Sequence, residues 1–282
     1  VGNKPTAAGE PPKEDAMRSR YLTALVFAVA LSLVFVSCDS FFSTNLFKSA
    51  GLGQVSPDKL KGETSAQLVD DAYDENGEVS TSFFVALSND DTVKEEVLVT
   101  LEATYTSPTA SPVEVQEAAS LAAQIEIVTT GGDELVNNVV SGIDALQNLS
   151  DSDPQGAVDL LKSLVPQELS ASESDFSAAI DALISASDTY TVLGASVATS
   201  GVQGDINLGT ATQSAMLAAA LDGIVATGLT DPDTNTPYTS TAAFLWDSFQ
   251  GKTVTGTIDF TAPDTSEGSP LGALLAASGF KL

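Results

Sequence analysis

From Ser56 onward, apolar residues recur every three or four positions, and short runs of Gly, Pro, Asp and Asn interrupt them. Leu68, Val69 and Ala72 make a short apolar face before a turn at Asp74-Glu75-Asn76-Gly77, and Phe83, Phe84 and Leu87 make another. Over 91–105, Val93, Val97, Leu98, Leu101 and Tyr105 fall at helical spacing. The second half of that stretch also alternates, but Lys94, Glu95 and Glu96 make a poor strand opening, so the pattern predicts a helix. Ser111-Pro112-Val113-Glu114 reads as a capping box with Pro at the first helical position, which satisfies two otherwise orphaned backbone donors. Val115, Ala118, Ala122, Ile125 and Val128 form the stripe behind it, and Gly131-Gly132 ends the helix. Asp133 is placed to cap the next helix, with Leu135, Val139, Ile143 and Leu146 inside. Asp153-Pro154 opens another, with Val158, Leu161 and Val165 inside, and Pro166 stops it.

Phe176, Ile180, Leu183 and Ile184 mark a further helix, while the β-branched stretch 189–199 fits helix or strand. Residues 200–209 hold three glycines and read as a loop. Leu217, Leu221, Ile224 and Val225 predict one more helix, 231–238 a turn-rich connection, and Phe244, Leu245 and Phe249 the end of the helical series. Val254, Gly256, Ile258 and Phe260 then alternate with polar residues, as one short strand or an extended segment would, and 271–277 suits a last small helix. The fold class is therefore all-α, with eight or nine helices on short connections and room for one short C-terminal strand. No fixed sequence period runs through the helices, so an irregular helical bundle and a divergent helical-hairpin array both fit.

The N-terminal region follows another pattern. Residues 1–16, with Pro5, Pro11 and Pro12, have no apolar period and read as a disordered leader or as sequence ahead of a true start at Met17. Arg18 and Arg20 then precede a run, 22–36, that is apolar except for Thr23 and Ser32, and Ser37-Cys38 closes it. A basic start, an apolar core and a small residue are the parts of a secretory signal. The run is shorter than the ~20 residues a membrane-spanning helix needs. Cys38 is the chain's single cysteine. Phe35-Val36-Ser37-Cys38 resembles the lipobox of bacterial lipoprotein precursors, and its Phe35, where Leu is usual, resembles the looser boxes of spirochaetes. The resemblance implies a diacylglycerol on the Cys38 thiol, cleavage just before it, and Cys38 as the first residue of a mature, fatty-acylated (palmitate-type) protein. Two or more acyl chains make a stable anchor where one alone holds weakly. The alternative is an uncleaved signal-anchor helix with an incidental cysteine.

The organisation that follows is a leader at 1–16, a lipoprotein signal peptide at 17–37, a lipid anchor and tether at 38–55, a helical domain at 56–250 and a C-terminal extended segment at 251–282. In the tether, Phe41, Phe42, Leu46 and Phe47 suit packing on their own domain better than the membrane interface.

Charge narrows the partners. The chain has 38 acidic and 11 basic side chains and no His, a net charge of −27. Cleavage before Cys38 would leave seven Lys, 35 acids and no Arg, a net charge of −28. Nucleic-acid binding needs cations to displace phosphate counterions, and this composition argues against it. An anionic membrane surface would repel the body too, leaving the lipid to hold it. The few Lys and many Asp, Glu, Ala, Ser and Thr resemble proteins of salt-loving organisms, in which concentrated salt screens such repulsion. With 43% hydrophobic residues in helical patterns, the body is not disordered.

Candidate chemistry is sparse. Without His there is no Ser-His-Asp triad and no imidazole metal ligand, and neither G-x-S-x-G nor G-x-x-x-x-G-K-[ST] occurs. Two carboxylates would suffice for glycoside hydrolysis, but the sequence singles out no pair among so many acids. Asp231, Asp233 and Asn235 place oxygens at alternate positions, as at the start of an EF-hand loop, so they are the candidate Ca2+ ligands. Thr236 and Ala242 stand where that loop uses Gly and Glu, and Asp and Asn beside Pro232 also suit an ordinary turn. Ca2+ apart, no cofactor is expected. Asp151-Ser152-Asp153 and Asp264-Thr265-Ser266 are weaker patterns, and Trp246 with Phe244 and Phe249 suits core more than a pocket.

These readings converge on an acidic helical lipoprotein of the cell envelope, held at the inner or outer membrane through Cys38 with its body outside the cytoplasm. The expected role is non-enzymatic, binding envelope proteins or supporting their assembly. A small-solute-binding lipoprotein of a transporter is the alternative, and a carboxylate-dependent hydrolase a second.

Overall fold

The computed structural model describes residues 55–73, 79–139, 146–150, 154–166, 169–204, 206–225, 229–254, 256 and 258–280. Eleven helices lie among them: α1 (Pro57–Leu60), α2 (Ser65–Ala72), α3 (Thr81–Ser88), α4 (Asp91–Tyr105), α5 (Pro112–Val128), α6 (Asp133–Val139), α7 (Pro154–Leu164), α8 (Glu173–Ser200), α9 (Leu208–Asp222), α10 (Thr241–Phe249) and α11 (Pro270–Ser278). Two strands, β1 (Ile224–Val225) and β2 (Asp259–Phe260), pair antiparallel with Ile224 opposite Phe260. The all-α class with a short C-terminal strand is what the periodicity predicts.

Local chemistry starts most of these helices. At α5 the Ser111 side chain accepts from the Glu114 backbone N–H, and the Glu114 carboxylate accepts in return from the Ser111 backbone N–H at 2.7 Å. Thr64 and Gln67 form the same box on α2. Asp90, Ser172, Asn207 and Ser269 cap α4, α8, α9 and α11, so orphan donors are met before packing contributes.

Helix α5 divides the interior. Its Ala118, Leu121, Ala122 and Ile125 join Leu60, Leu68, Phe83, Leu87, Val93, Val97 and Leu101 in one core. Its opposite face, Ala119, Ala123 and Ile127, joins a larger core built from α6 to α11. The single stripe predicted for α5 is thus one of two buried faces. Helix α8 is the hub of the larger core and packs on α5, α9, α10 and α11. Elements distant in sequence meet there, as in an irregular bundle rather than a stack of neighbouring hairpins.

The structure departs from the sequence pattern in three places. The ambiguous stretch 189–199 is helical, because Tyr190, Leu193 and Val197 reach the core at helical spacing. Gly209 lies inside α9 rather than in the loop before it. Ile224 and Val225 do not extend α9: the helix stops at Asp222, and the Gly223 carbonyl accepts from the Thr261 backbone N–H at 2.8 Å as the strand pair begins.

The segment after Val254 returns to the core, burying Phe260, Leu274 and Leu275. It fits because α8 has no side chain at Gly194, where a Cβ would stand 2.2 Å from the Pro270 carbonyl oxygen. Buried Thr212 on α9 fastens α11 further by donating to the Leu274 carbonyl at 3.2 Å.

Candidate functional site

The predicted cation ligands lie in the loop between β1 and α10, at one end of the larger core. Thr230 and Pro237 form an antiparallel bridge across the base of the loop, and the Tyr238 N–H donates to the Leu229 carbonyl at 3.0 Å. Asn235 takes a positive φ of 55°, a conformation Asn tolerates better than most residues. Asp231 holds the turn from within. Its Oδ1 accepts from the Asp233 N–H at 2.8 Å, and its Oδ2 accepts from the Thr234 hydroxyl at 2.7 Å. The Thr234 hydroxyl, with the Asp233 N–H, holds the Asp231 carboxyl below the usual carboxylate range.

Asp233 turns to a different partner. The Lys252 ammonium sits 2.7 Å from Asp233 Oδ2 and 2.8 Å from Asp247 Oδ1. Asp247 is only 7% exposed although it carries a charge. Its second oxygen accepts from the Tyr238 hydroxyl at 2.8 Å, and its backbone carbonyl accepts from the Lys252 N–H at 3.0 Å. A buried carboxylate needs such partners, since an unpaired one costs several kcal/mol, roughly 3–5. The Asp233 and Asp247 carboxylates hold the Lys252 amine protonated, above its ordinary range. Burial and the Asp247 contact push the Tyr238 phenol up, so it stays a donor.

The sequence-predicted residues therefore share one loop, but Asp231 and Asp233 serve different partners. Asp231 closes the turn on itself, and Asp233 fixes the turn to Lys252 beyond α10. Lys252 is held as an ammonium and lacks the free amine that a Schiff base or a general base requires. Among the described residues, no group of three or more Asp, Glu or Cys is arranged to hold a metal ion.

Sequence reasoning missed Asp247, Tyr238 and Lys252. A signal for Asp247 existed: it is the single acid within the apolar stretch Phe244-Leu245-Trp246-Asp247-Ser248-Phe249. Trp246 and Phe249 pack on Phe176, with ring centroids 5.5 and 6.3 Å away, so this aromatic group is packing. Asp264-Thr265-Ser266 is a turn in which Asp264 Oδ1 accepts from the Ser266 hydroxyl at 2.6 Å, just ahead of the α11 cap. Asp71, near the end of α2, pairs with Lys59. Cys38, the aromatic cluster 41–47, Asp74, Glu75 and Asp151-Ser152-Asp153 lie outside the described residues.

A second polar group runs along α5, where Gln116, Ser120 and Gln124 stand one turn apart. Buried Gln116 Nε2 donates to the Gly201 carbonyl at 2.9 Å and the Ser196 hydroxyl at 3.2 Å, and its Oε1 accepts from the Gln203 N–H at 2.8 Å. This side chain straps the loop after α8 onto the start of α5. Gln124 Nε2 donates to Ser120 Oγ at 3.1 Å and to the Tyr73 hydroxyl at 3.3 Å. Burial of Tyr73 pushes its phenol up to about 12, so it too remains a donor.

Leu135, Leu161, Phe176, Leu217, Leu245 and Phe249 line an apolar cavity within the larger core, with Lys162 at its edge. Its volume is about 10 Å³, close to the minimum for one water. No helix among the described residues is long and apolar enough to cross a membrane. Comparison of the chain with protein-family models, curated proteins and solved structures finds no match.

Proposed function

We propose that this protein is a lipid-anchored, non-enzymatic component of a cell envelope, tethered through Cys38 and presenting its acidic helical body to envelope proteins. The observation that carries this reading is the sequence Phe35-Val36-Ser37-Cys38, which puts the chain's single cysteine at the end of a short apolar run opened by Arg18 and Arg20. A carrier needs a cavity of hundreds of Å³ with a few convergent polar groups; the apolar cavity described above, among the described residues, is about 10 Å³ and is not such a site. The two acids nearest each other at the predicted loop, Asp233 and Asp247, are bridged by Lys252 rather than facing each other across a cleft.

Fractionation of cells expressing the full chain tests this reading. The wild-type protein is expected in the membrane pellet and to enter the detergent phase, while Cys38→Ala fails to enter the membrane as the mature acylated form. A Cys38→Ala protein with unchanged mobility, membrane association and detergent partition would overturn it.

A further inference from the structure

Helices α1 to α4 make a layer with a core of its own. Leu60, Leu68, Phe83, Leu87, Val93 and Leu101, drawn from all four helices, are buried together. Polar bonds tie the same helices to one another. The Gly62 N–H, after α1, donates to Glu96 Oε1 of α4 at 2.9 Å, and the Ser80 N–H, before α3, donates to the Ala72 carbonyl of α2 at 2.8 Å. Lys59 of α1 pairs with Asp71 of α2.

The boundary of this layer is thinner than its interior. Outside themselves, the four helices pack chiefly on one face of α5. Two of the four core residues on that face are Ala118 and Ala122, so Leu121 and Ile125 are the large, fully buried side chains that α5 gives to the layer. The polar contacts across the boundary are long: the Tyr73 hydroxyl donates to Ser120 Oγ at 3.3 Å and accepts from Gln124 Nε2 at 3.3 Å. Tyr105 reaches both cores, with its hydroxyl 3.5 Å from Thr189 Oγ1, but it stands at the last residue of α4, where the chain leaves the layer. The connection that follows, 106–111, has no buried residue. Helix α5 itself is secured from elsewhere. Its capping box closes its own start, Gln116 ties it to the loop after α8, and Ala119, Ala123 and Ile127 are buried in the larger core.

We infer that α1 to α4 form a lid over α5, which swings away as one unit about the connection 106–111 while α5 stays in the larger core. The contacts divide unequally, and the division sets where the molecule parts. Parting at the layer's boundary bares one side of α5 and breaks few hydrogen bonds. Parting on the other side of α5 would break its second buried face and the Gln116 bonds together. A contiguous segment packed in this way opens below the cost of global unfolding, as a cooperative unit. The open form presents Leu121 and Ile125 of α5 to solvent. The inference does not rest on the anchor at Cys38.

Amide hydrogen exchange of the full chain in detergent, followed at low urea concentrations, tests it. The slowest amides of α2, α3 and α4 are expected to exchange roughly tenfold or more faster than the slowest of α8 and α9, after correction for intrinsic rates, and to share one urea dependence. Leu217→Val trims the larger core alone, so it should speed α8 and α9 several-fold and leave α2 to α4 unchanged, because the lid opens with that core still formed. The wild-type rates decide the matter even if this variant fails to fold. Equal slowest rates in the layer and in α8 and α9 would overturn the lid, since the molecule would then open all at once. So would separate urea dependences for α2, α3 and α4, which would mean helices fraying one by one.

Discussion

Gln116 shows how one polar side chain governs a contact between distant segments. It is fully buried, and it bonds to Ser196, Gly201 and Gln203 at once. Gln116→Ala removes these bonds and strands the Gly201 carbonyl and the Gln203 N–H, so it is expected to cost about 2 kcal/mol in urea unfolding. A loss below about 0.5 kcal/mol would mean that water replaces the side chain and the strap is incidental. At this scale the sequence is a partial guide. Asp231, Asp233 and Asn235 are legible as an oxygen-rich turn, because Asp, Pro and Asn have local preferences for such geometry. The direction of each carboxylate is not legible. The hydroxyl of Thr234 draws Asp231 inward, and Lys252, on the far side of α10, draws Asp233 outward.

Among the elements, the docking of α11 on α8 turns on one residue. Alanine would favour helix α8 over Gly194 by about 1 kcal/mol on propensity alone. The added Cβ, however, would stand 2.2 Å from the Pro270 carbonyl oxygen, a backbone atom that cannot swing aside. The steric term wins, and Gly194→Ala is expected to destabilise the protein by about 2 kcal/mol or more and to expose 270–278 to proteolysis. A neutral or stabilising alanine would show that α11 docks more loosely. The extents of α4 and α5 are readable from sequence because caps and periodicity are local signals. The second buried face of α5 escapes notice because Ala119 and Ala123 carry little apolar signal, and their burial depends on the close approach of α8. The end of α9 escapes for a different reason. Ile224 continues the helical period, yet it pairs with Phe260, a partner that no local window contains.

For the whole molecule, charge and the proposed anchor set the questions. A chain of net charge −27 repels itself, and salt relieves that repulsion as the Debye length shrinks from ~10 Å at 0.1 M to ~3 Å at 1 M. Tm is therefore expected to rise by several degrees, roughly 5 °C, between 0.1 and 1 M NaCl. A fall would mean that ion pairs such as Lys252 with Asp233 outweigh the excess of acids. The proposed anchor would decide where this acidic body works, and intact mass of the membrane-fraction protein beside a Cys38→Ala control tests it most directly. The account predicts a wild-type chain that begins at Cys38 and carries two or three acyl chains, with that species missing from the control. A wild-type mass that retains residues 17–37 and carries no lipid would contradict it and leave Cys38 a free thiol.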